Sequence, residues 1–267
     1  MLGAVSSLTR IKGVVFDLGG TIYRPAMPVL SAIRRFLSEM GLNSHQDMND
    51  TKLTEVIGSS AERWLDDYMV QHNVHKQWEP THDVWLEHDR LLLMALGITK
   101  DLEGLAKQYQ SMWDDVIART RPELVDGVRE ALEELAELGC RLGIASNRFG
   151  SPSKFLREDG IEHFFDAVEF SNVPGYRKPS PYMLLSVAQN LKLNPRTCAY
   201  VGNLVQPDVR AAVAAEMKPV ILTWVEGNDV AQAPEGTAIF GHIDELVQSV
   251  KLGEQSEGSR LSSSKPI

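Results

Sequence analysis

Residues 12–21 read Lys-Gly-Val-Val-Phe-Asp-Leu-Gly-Gly-Thr, and this stretch decides the fold. Val14, Val15 and Phe16 form a short, unbroken apolar run, which is typical of a β-strand that is buried on both faces. The run stops at Asp17, and a glycine pair follows at once. Open α/β sheets bind their ligands at the carboxyl ends of such strands, so we predict a functional site at Asp17.

Strands and helices alternate from about residue 121 to residue 250. Strand patterns lie at residues 141–147, 166–171, 197–203 and 219–224, and 238–240 is a candidate edge strand. Segments with helical periodicity separate them, among them 127–139, 180–192 and 207–217. This alternation implies right-handed crossovers and a parallel sheet. The sequence therefore predicts an α/β fold with a Rossmann-like, doubly wound parallel sheet.

Residues 26–120 have a different character, because strand patterns are absent and apolar residues recur at helical spacing. Helical segments are predicted at 28–41, 52–70, 82–96 and 102–118. We expect an all-helical domain inserted into the α/β core, which would comprise residues 12–25 and 121–250. Residues 1–11 would form an N-terminal extension. Residues 251–267 are rich in Ser, Gly and charge, which predicts a disordered tail.

Composition narrows the classes of function. The 267 residues carry a net charge of −9, which argues against nucleic-acid and anionic-membrane partners, because both need basic surface. No apolar run approaches the ~20 residues that span a bilayer, and the N-terminus does not resemble a signal peptide. The two cysteines lie in or beside apolar runs, which favours buried, reduced thiols. We therefore expect a cytoplasmic protein.

Four short motifs end consecutive strands or lie just beyond them, and together they carry a family resemblance. They are Asp17-Leu18-Gly19-Gly20-Thr21, Ser146-Asn147, Arg177-Lys178-Pro179, and Gly202-Asn203 with Asp208. In order and spacing they resemble the motifs of the haloacid dehalogenase (HAD) superfamily of phosphohydrolases. The resemblance runs from about residue 12 to residue 250. It implies that the helical insertion, 26–120, is the cap domain that this superfamily places after the first motif.

The resemblance also implies a role for each motif. Asp17 would be the nucleophile that forms an aspartyl-phosphate. Ser146 and the backbone N–H of Asn147 would bind the phosphoryl oxygens, and Lys178 would stabilise both the nucleophile and those oxygens. The cofactor would be Mg²⁺, held by Asp17, the Gly19 carbonyl, Asn203 and Asp208. The partner would be a small phosphorylated substrate.

Two positions depart from the superfamily pattern. Asn203 stands where an aspartate is usual, so this ligand would bring no negative charge to Mg²⁺. Gly19 stands where phosphatases usually carry the aspartate that protonates the leaving group, and such proton transfer is typically worth about 10²–10⁴-fold in rate. Turnover would then be slow, or another group would supply the proton. The candidates are Tyr23, Arg24, His72, His75, His82 and His88.

Three other interpretations remain open. The Asp-Leu-Gly-Gly-Thr motif also resembles the phosphate loop of actin-like sugar kinases, but the second glycine-rich motif of that fold is missing. A metal-free dehalogenase of the same superfamily would use the same aspartate. The strongest alternative is a catalytically weak or inactive protein that binds a ligand or partner, because two of the usual carboxylates are absent. The substrate and the oligomeric state do not follow from the sequence.

Overall fold

A computed structural model describes residues 8–25, 27–43, 46–225 and 230–263. It divides the chain into two compact units, one formed by Met1–Arg24 with Glu123–Ile267 and the other by Pro25–Pro122. Residues 1–7 of the predicted N-terminal extension lie outside the described residues, as do residues 264–267 of the predicted tail.

The strands are β1 (Gly13–Phe16), β2 (Tyr23–Arg24), β3 (Glu123–Leu124), β4 (Arg141–Ser146), β5 (Phe165–Phe170), β6 (Cys198–Gly202), β7 (Lys218–Leu222) and β8 (Ala238–Phe240). The helices are α1 (Val29–Glu39), α2 (Asp50–Ser59), α3 (Ala61–Gln71), α4 (His82–Ala95), α5 (Leu102–Arg119), α6 (Val128–Glu137), α7 (Ser153–Glu158), α8 (Tyr182–Asn190), α9 (Arg210–Ala214) and α10 (Ile243–Ser263).

Six parallel strands form the central sheet of the first unit in the order β5-β4-β1-β6-β7-β8. Strand β1 lies inside the sheet between β4 and β6, where Val15 pairs with Gly143 and Tyr200. Val14 and Phe16 pack into a core with α6 and α10, whereas Val15 packs into a second core with α8 and α9. Because successive side chains of a strand point to opposite faces, a strand covered on both sides must be apolar throughout. The predicted Rossmann-like fold is confirmed.

A short antiparallel ribbon of β2 and β3 was not predicted. It joins the point where the chain leaves the first unit to the point where it returns, with Tyr23 opposite Leu124 and Arg24 opposite Glu123. The backbone N–H of Val125 also donates to Ile22 O over 3.1 Å. Each strand has only two residues, which is too short for an alternating pattern to be recognised.

The second unit contains five helices in its described residues, and no strand occurs among them. The segment predicted to be helical over 52–70 is two helices, α2 and α3, because the backbone breaks at Ser60 (φ −120°, ψ −93°). The Ser60 hydroxyl donates to Val56 O over 2.5 Å, which satisfies an orphan carbonyl at the end of α2. Phe36 packs edge-on against Trp113 and Tyr109 in the core of this unit.

Helix α10 continues to Ser263, so it extends into the segment that the sequence predicts to be a disordered tail. Two contacts hold the start of this stretch. Lys251 Nζ lies 2.5 Å from Glu134 Oε2 on α6, and Gly253 is buried so closely against Leu8 that a side chain there would collide with its carbonyl. No described helix is both long enough and apolar enough to cross a bilayer. Cys140 and Cys198 are buried free thiols.

Candidate active site

Three of the four motifs meet at the carboxyl edge of the sheet because their strands are neighbours. Asp17 directly follows β1, Ser146 is the last residue of β4, and Asn203 directly follows β6. Lys178 reaches the same place from the loop between β5 and α8. Parallel strands end at a common edge, so residues that are far apart in sequence become neighbours there.

The Lys178 ammonium is the centre of this cluster. Its Nζ lies 3.0 Å from Asp17 Oδ1 and 2.8 Å from Asp208 Oδ1, and it donates to the Tyr200 hydroxyl over 2.6 Å. The residue is only 3% exposed. Two carboxylate oxygens and one hydroxyl therefore surround the ammonium. The lysine is therefore fixed in one position, with its charge shared between two carboxylates.

Burial and neighbouring charges have opposite effects on the pKa values of Lys178 and Asp17. Burial alone would lower the pKa of Lys178, but Asp17 and Asp208 outweigh it and hold that pKa above its ordinary value. Burial raises the pKa of Asp17, and the Asp208 carboxylate adds to this effect. Lys178 and a hydrogen bond from Ser146 oppose the rise. The site thus combines a buried carboxylate with a lysine that stays charged.

Asn147 positions Lys178 through its side chain. Its Oδ1 accepts from the Lys178 backbone N–H over 2.8 Å, and its Nδ2 donates to the Lys178 carbonyl over 2.9 Å. These two hydrogen bonds tie the loop before α8 to the end of β4. The asparagine side chain therefore fixes the backbone at Lys178. The sequence did not indicate this role, because an asparagine after a strand also suits an ordinary turn.

Asp208 is held by the loop that follows β6. Its Oδ2 accepts from the backbone N–H groups of Asn203 (3.1 Å) and Leu204 (3.0 Å), and the residue is 1% exposed. A side chain at Gly202 would lie 2.3 Å from the Asp208 carboxyl carbon, so this close approach needs glycine.

The helix predicted over 207–217 has different bounds. It begins as a π-helical turn at Val205–Val209 and continues as α9 only to Ala214. A π-helical turn inserts an extra residue into a helix and is frequent at functional sites, and here it contains Asp208.

The two glycines after Asp17 differ in their surroundings. Gly20 has φ +76°, and a side chain there would lie 2.5 Å from Asn203 Nδ2, so the Asn203 side chain rests against this turn. Gly19 has no positive φ, and among the described residues, apart from its two chain neighbours, no atom lies within 4 Å of the position its Cβ would take. The place where the superfamily usually has its acid is therefore open space.

The oxygen atoms near Asp17 fit Mg²⁺, though with little negative charge. In the part of the chain that the structure describes, no group of three or more His, Cys, Asp or Glu side chains could hold a metal. Both Asp208 oxygens already accept hydrogen bonds. Asp17 is therefore the carboxylate that could hold the ion, together with neutral oxygens of Gly19 and Asn203. Mg²⁺ is commonly held by one or two carboxylates together with water and substrate phosphate, and this set meets that minimum.

Tyr200 belongs to the site but was not predicted from the sequence. Its hydroxyl accepts from Lys178 and lies 2.9 Å from the Ala145 carbonyl, to which it donates. Burial, reinforced by the Asp208 charge, raises the pKa of Tyr200 well above its ordinary value, so the phenol stays protonated. In the sequence Tyr200 is one aromatic residue within a buried strand, and such a residue normally indicates only core packing.

The candidate proton donors have other partners. Tyr23 is buried, packs edge-on against Phe155 and donates to Asp159 Oδ2 over 2.8 Å. Arg24 lies over the Trp224 ring, and a guanidinium does not release its proton in proteins. The four candidate histidines, His72, His75, His82 and His88, belong to the helical unit. None of these contacts assigns a proton donor to Asp17.

Known proteins resemble this chain along most of its length. The family model of the haloacid dehalogenase-like hydrolases matches residues 11–216. The chain is 28% identical over 215 residues to the glyceraldehyde 3-phosphate phosphatase of Methanopyrus kandleri, which covers 79% of this chain and 83% of that protein. It is 24% identical over 214 residues to a phosphoglycolate phosphatase of Xanthomonas campestris pv. campestris. That alignment covers 80% of this chain and 83% of the phosphatase.

A solved structure supports the fold. The crystal structure of a haloacid dehalogenase-like family hydrolase from Xanthomonas campestris matches with a TM-score of 0.62 over 94% of this chain and 95% of that one. The two sequences are 14% identical, so this likeness shows the arrangement of the backbone alone.

Proposed function

The chain belongs to the haloacid dehalogenase-like hydrolases, and we propose that it is a phosphatase that cleaves a small phosphorylated metabolite through a covalent phosphoryl intermediate on Asp17. The observation that carries this proposal is the Lys178 ammonium, fixed between Asp17 and Asp208 at the carboxyl edge of the sheet. A carboxylate that approaches a phosphate dianion is repelled, so a fixed positive charge at this point lowers the barrier.

The proposed reaction has two steps. A carboxylate oxygen of Asp17 bonds to phosphorus while the bond from phosphorus to the ester oxygen breaks, and the leaving alkoxide takes its proton from water because Gly19 offers no acid. Water then attacks phosphorus, the bond to Asp17 breaks, and inorganic phosphate leaves with the carboxylate restored. The proton that the attacking water loses neutralises the hydroxide left by the first step. Ser146, the backbone N–H of Asn147 and Lys178 would bind the phosphoryl oxygens throughout.

Mg²⁺ is the cofactor that this site would use. Asp17, the Gly19 carbonyl and the Asn203 amide oxygen would hold the ion. The substrate phosphate would supply the negative charge that these ligands lack. When bound, the ion neutralises charge on the phosphate and orients it toward the nucleophile. Asp208 would not contact the ion. It would hold Lys178 and the two backbone N–H groups of the loop after β6 in place.

The names of the relatives suggest which substrates to test first. The Methanopyrus and Xanthomonas proteins are named for glyceraldehyde 3-phosphate and phosphoglycolate, which are both small, three- or two-carbon phosphate monoesters. We propose that the substrate of this chain is a metabolite of that class rather than a phosphoprotein or a nucleic acid.

The test is hydrolysis of 4-nitrophenyl phosphate, whose leaving group departs without a proton, followed by the two named monoesters. We expect Mg²⁺-dependent release of phosphate and its loss in Asp17→Asn, because an amide is too poor a nucleophile to attack phosphorus. Asp126→Asn, which changes an exposed aspartate of the same unit, is the matched control. Equal turnover in the Asp17 variant would exclude the covalent mechanism.

The open space at Gly19 favours one second candidate, a protein that binds a phosphorylated ligand with little turnover. The two candidates differ in one experiment. A binding protein would bind inorganic phosphate in calorimetry and lose that binding in Lys178→Met, yet it would not hydrolyse 4-nitrophenyl phosphate at any Mg²⁺ concentration.

A further inference from the structure

The helical unit contains a cavity that the proposed function does not use. Its volume is about 270 Å³, and all of its lining residues lie between Val29 and Ile117. The walls are formed by apolar and aromatic side chains, including Ile33, Trp85 and Trp113, and polar side chains from α4 and α5 reach into it. A concave, mostly apolar cavity with a few converging polar groups is the usual form of a small-molecule site.

Asp89 is the polar group that distinguishes this cavity from a packing defect. It is 2% exposed, and its Oδ1 lies 3.0 Å from His88 Nδ1. Its Oδ2 is also buried, and among the residues that the structure describes it has no hydrogen-bond partner. A buried carboxylate oxygen without a partner costs free energy, so a donor supplied by a ligand would satisfy it.

The charge around the cavity selects the sign of the ligand. Among the described lining residues, Asp89 and Glu62 are acidic and His88 is the basic side chain, with Nε2 3.4 Å from Glu62 Oε1. No lysine or arginine is among its described lining residues. Asp114 adds a further negative charge behind Gln110, whose Nε2 donates to it over 3.1 Å. Phosphate and carboxylate ligands would therefore be repelled, whereas a cation would be attracted.

We infer that this cavity binds a small organic amine with an aromatic or branched apolar body, whose ammonium donates to Asp89 Oδ2. The indole rings of Trp85 and Trp113 line the cavity and suit such a ligand, because aromatic rings attract cations and cover apolar surface. The volume accommodates a body of about ten non-hydrogen atoms.

Calorimetry on the full chain tests this with three probes of one shape: 2-phenylethylamine, 2-phenylethanol and 3-phenylpropionate. We expect the amine to bind at least about tenfold more tightly than either of the others, since a charge-assisted hydrogen bond is roughly twice as strong as a neutral one. No binding of the amine at millimolar concentration, or equal binding of the anion, would overturn the inference and leave an ordered water as the occupant.

Asp89→Asn is the decisive variant. The amide can still accept from His88 Nδ1, but it presents N–H donors where Oδ2 had been an acceptor. Amine binding should fall about tenfold while binding of the alcohol changes little. Asp83→Asn removes an exposed charge from the same helix outside the cavity and is the matched control. Unchanged amine binding in Asp89→Asn would contradict the inference.

A second variant guards against misfolding of the first. Ile117 lines the cavity but is 70% exposed, so Ile117→Lys disturbs little packing and places a positive charge at the mouth. This variant should weaken binding of the amine and leave binding of the alcohol unchanged. Equal weakening of both would also contradict the inference. These measurements read binding directly, so they stand apart from the proposed phosphatase activity.

Discussion

Lys178 and Asp208 form a buried ion pair, with 2.8 Å between Nζ and Oδ1 and no more than 2% of either side chain exposed. Asp17 shares the same ammonium. Removing one partner of a buried pair leaves an unbalanced charge away from water, which typically costs about 3–5 kcal/mol. The catalytic lysine of the proposed mechanism is thus also the charge that allows two carboxylates to be buried together.

We predict that Lys178→Met abolishes hydrolysis and lowers the free energy of unfolding by about 3 kcal/mol, because Asp17 and Asp208 would then repel each other in a buried site. Urea unfolding measures the loss, and Lys218→Met, an exposed lysine of β7, is the control. Adding Asp208→Asn to Lys178→Met should recover part of the stability without any activity. A double variant no more stable than the single one would contradict the shared-charge interpretation.

The strand that begins the fold could be predicted because its pattern is unambiguous. Only a strand covered on both faces needs the unbroken run Val14, Val15, Phe16, and the structure places those side chains in two separate cores. The meeting of Asp17, Ser146 and Asn203 followed from the same logic, since parallel strands end at a common edge.

Other parts of the site depend on contacts that leave no pattern in the sequence. The hydrogen bonds between the Asn147 side chain and the Lys178 backbone join residues 31 positions apart. Tyr200 differs from a core aromatic residue only by its hydroxyl. The extension of α10 beyond residue 250 was not predicted, for the same reason. Residues 251–263 are polar or small apart from Leu252 and Leu261, and the contacts at their start are tertiary: Glu134 pairs with Lys251, and Leu8 packs on Gly253.

We predict that Asn203→Asp tightens Mg²⁺ binding, because it replaces a neutral oxygen by a carboxylate beside the Gly19–Gly20 turn, where a single carboxylate would otherwise hold the ion. Calorimetry with Mg²⁺ in the absence of substrate is the measurement, and we expect a gain of about tenfold in affinity. Asn194→Asp, which lies in the turn before β6, is the matched control. An unchanged affinity would argue that Asn203 does not reach the ion.

His88 predicts a pH dependence of stability. Burial would lower its pKa, but hydrogen bonds and charge from Asp89 and Glu62 outweigh this and raise it to about 9, from an ordinary value of 6.5. Asp89 also faces Asp114 and His82. A raised histidine pKa stabilises the folded state below the unfolded pKa, and the contribution is lost as pH rises through the folded pKa.

The free energy of unfolding should therefore fall between about pH 6.5 and pH 9.5, by on the order of 3 kcal/mol from this residue. Urea unfolding across that range, compared between the parent chain and His88→Gln, isolates the contribution because other titrating groups are common to both. If both chains lose stability in parallel, His88 is not charged in the folded protein.

Gly19 is the departure from the family pattern whose consequence is most open to experiment. A larger residue at Gly20 would meet Asn203 and a positive φ, but Gly19 has neither obstacle. An aspartate at Gly19 should therefore fold without strain and extend into open space beside Asp17. The chain thus permits the superfamily's usual acid to be restored by one substitution.

We predict that Gly19→Asp raises kcat/KM for alkyl phosphate esters and changes it little for 4-nitrophenyl phosphate. General-acid help grows with the charge left on the departing oxygen, so a poor alkoxide gains from a positioned proton whereas a nitrophenolate does not. We expect a gain of about tenfold or more for phosphoglycolate, with Gly19→Asn as the control that has the same shape but no proton to give. The opposite outcome would be the same ratio of mutant to parent kcat/KM for both esters, in a variant whose Tm is unchanged. The absent acid would then not limit this enzyme, and the proton would come from another group.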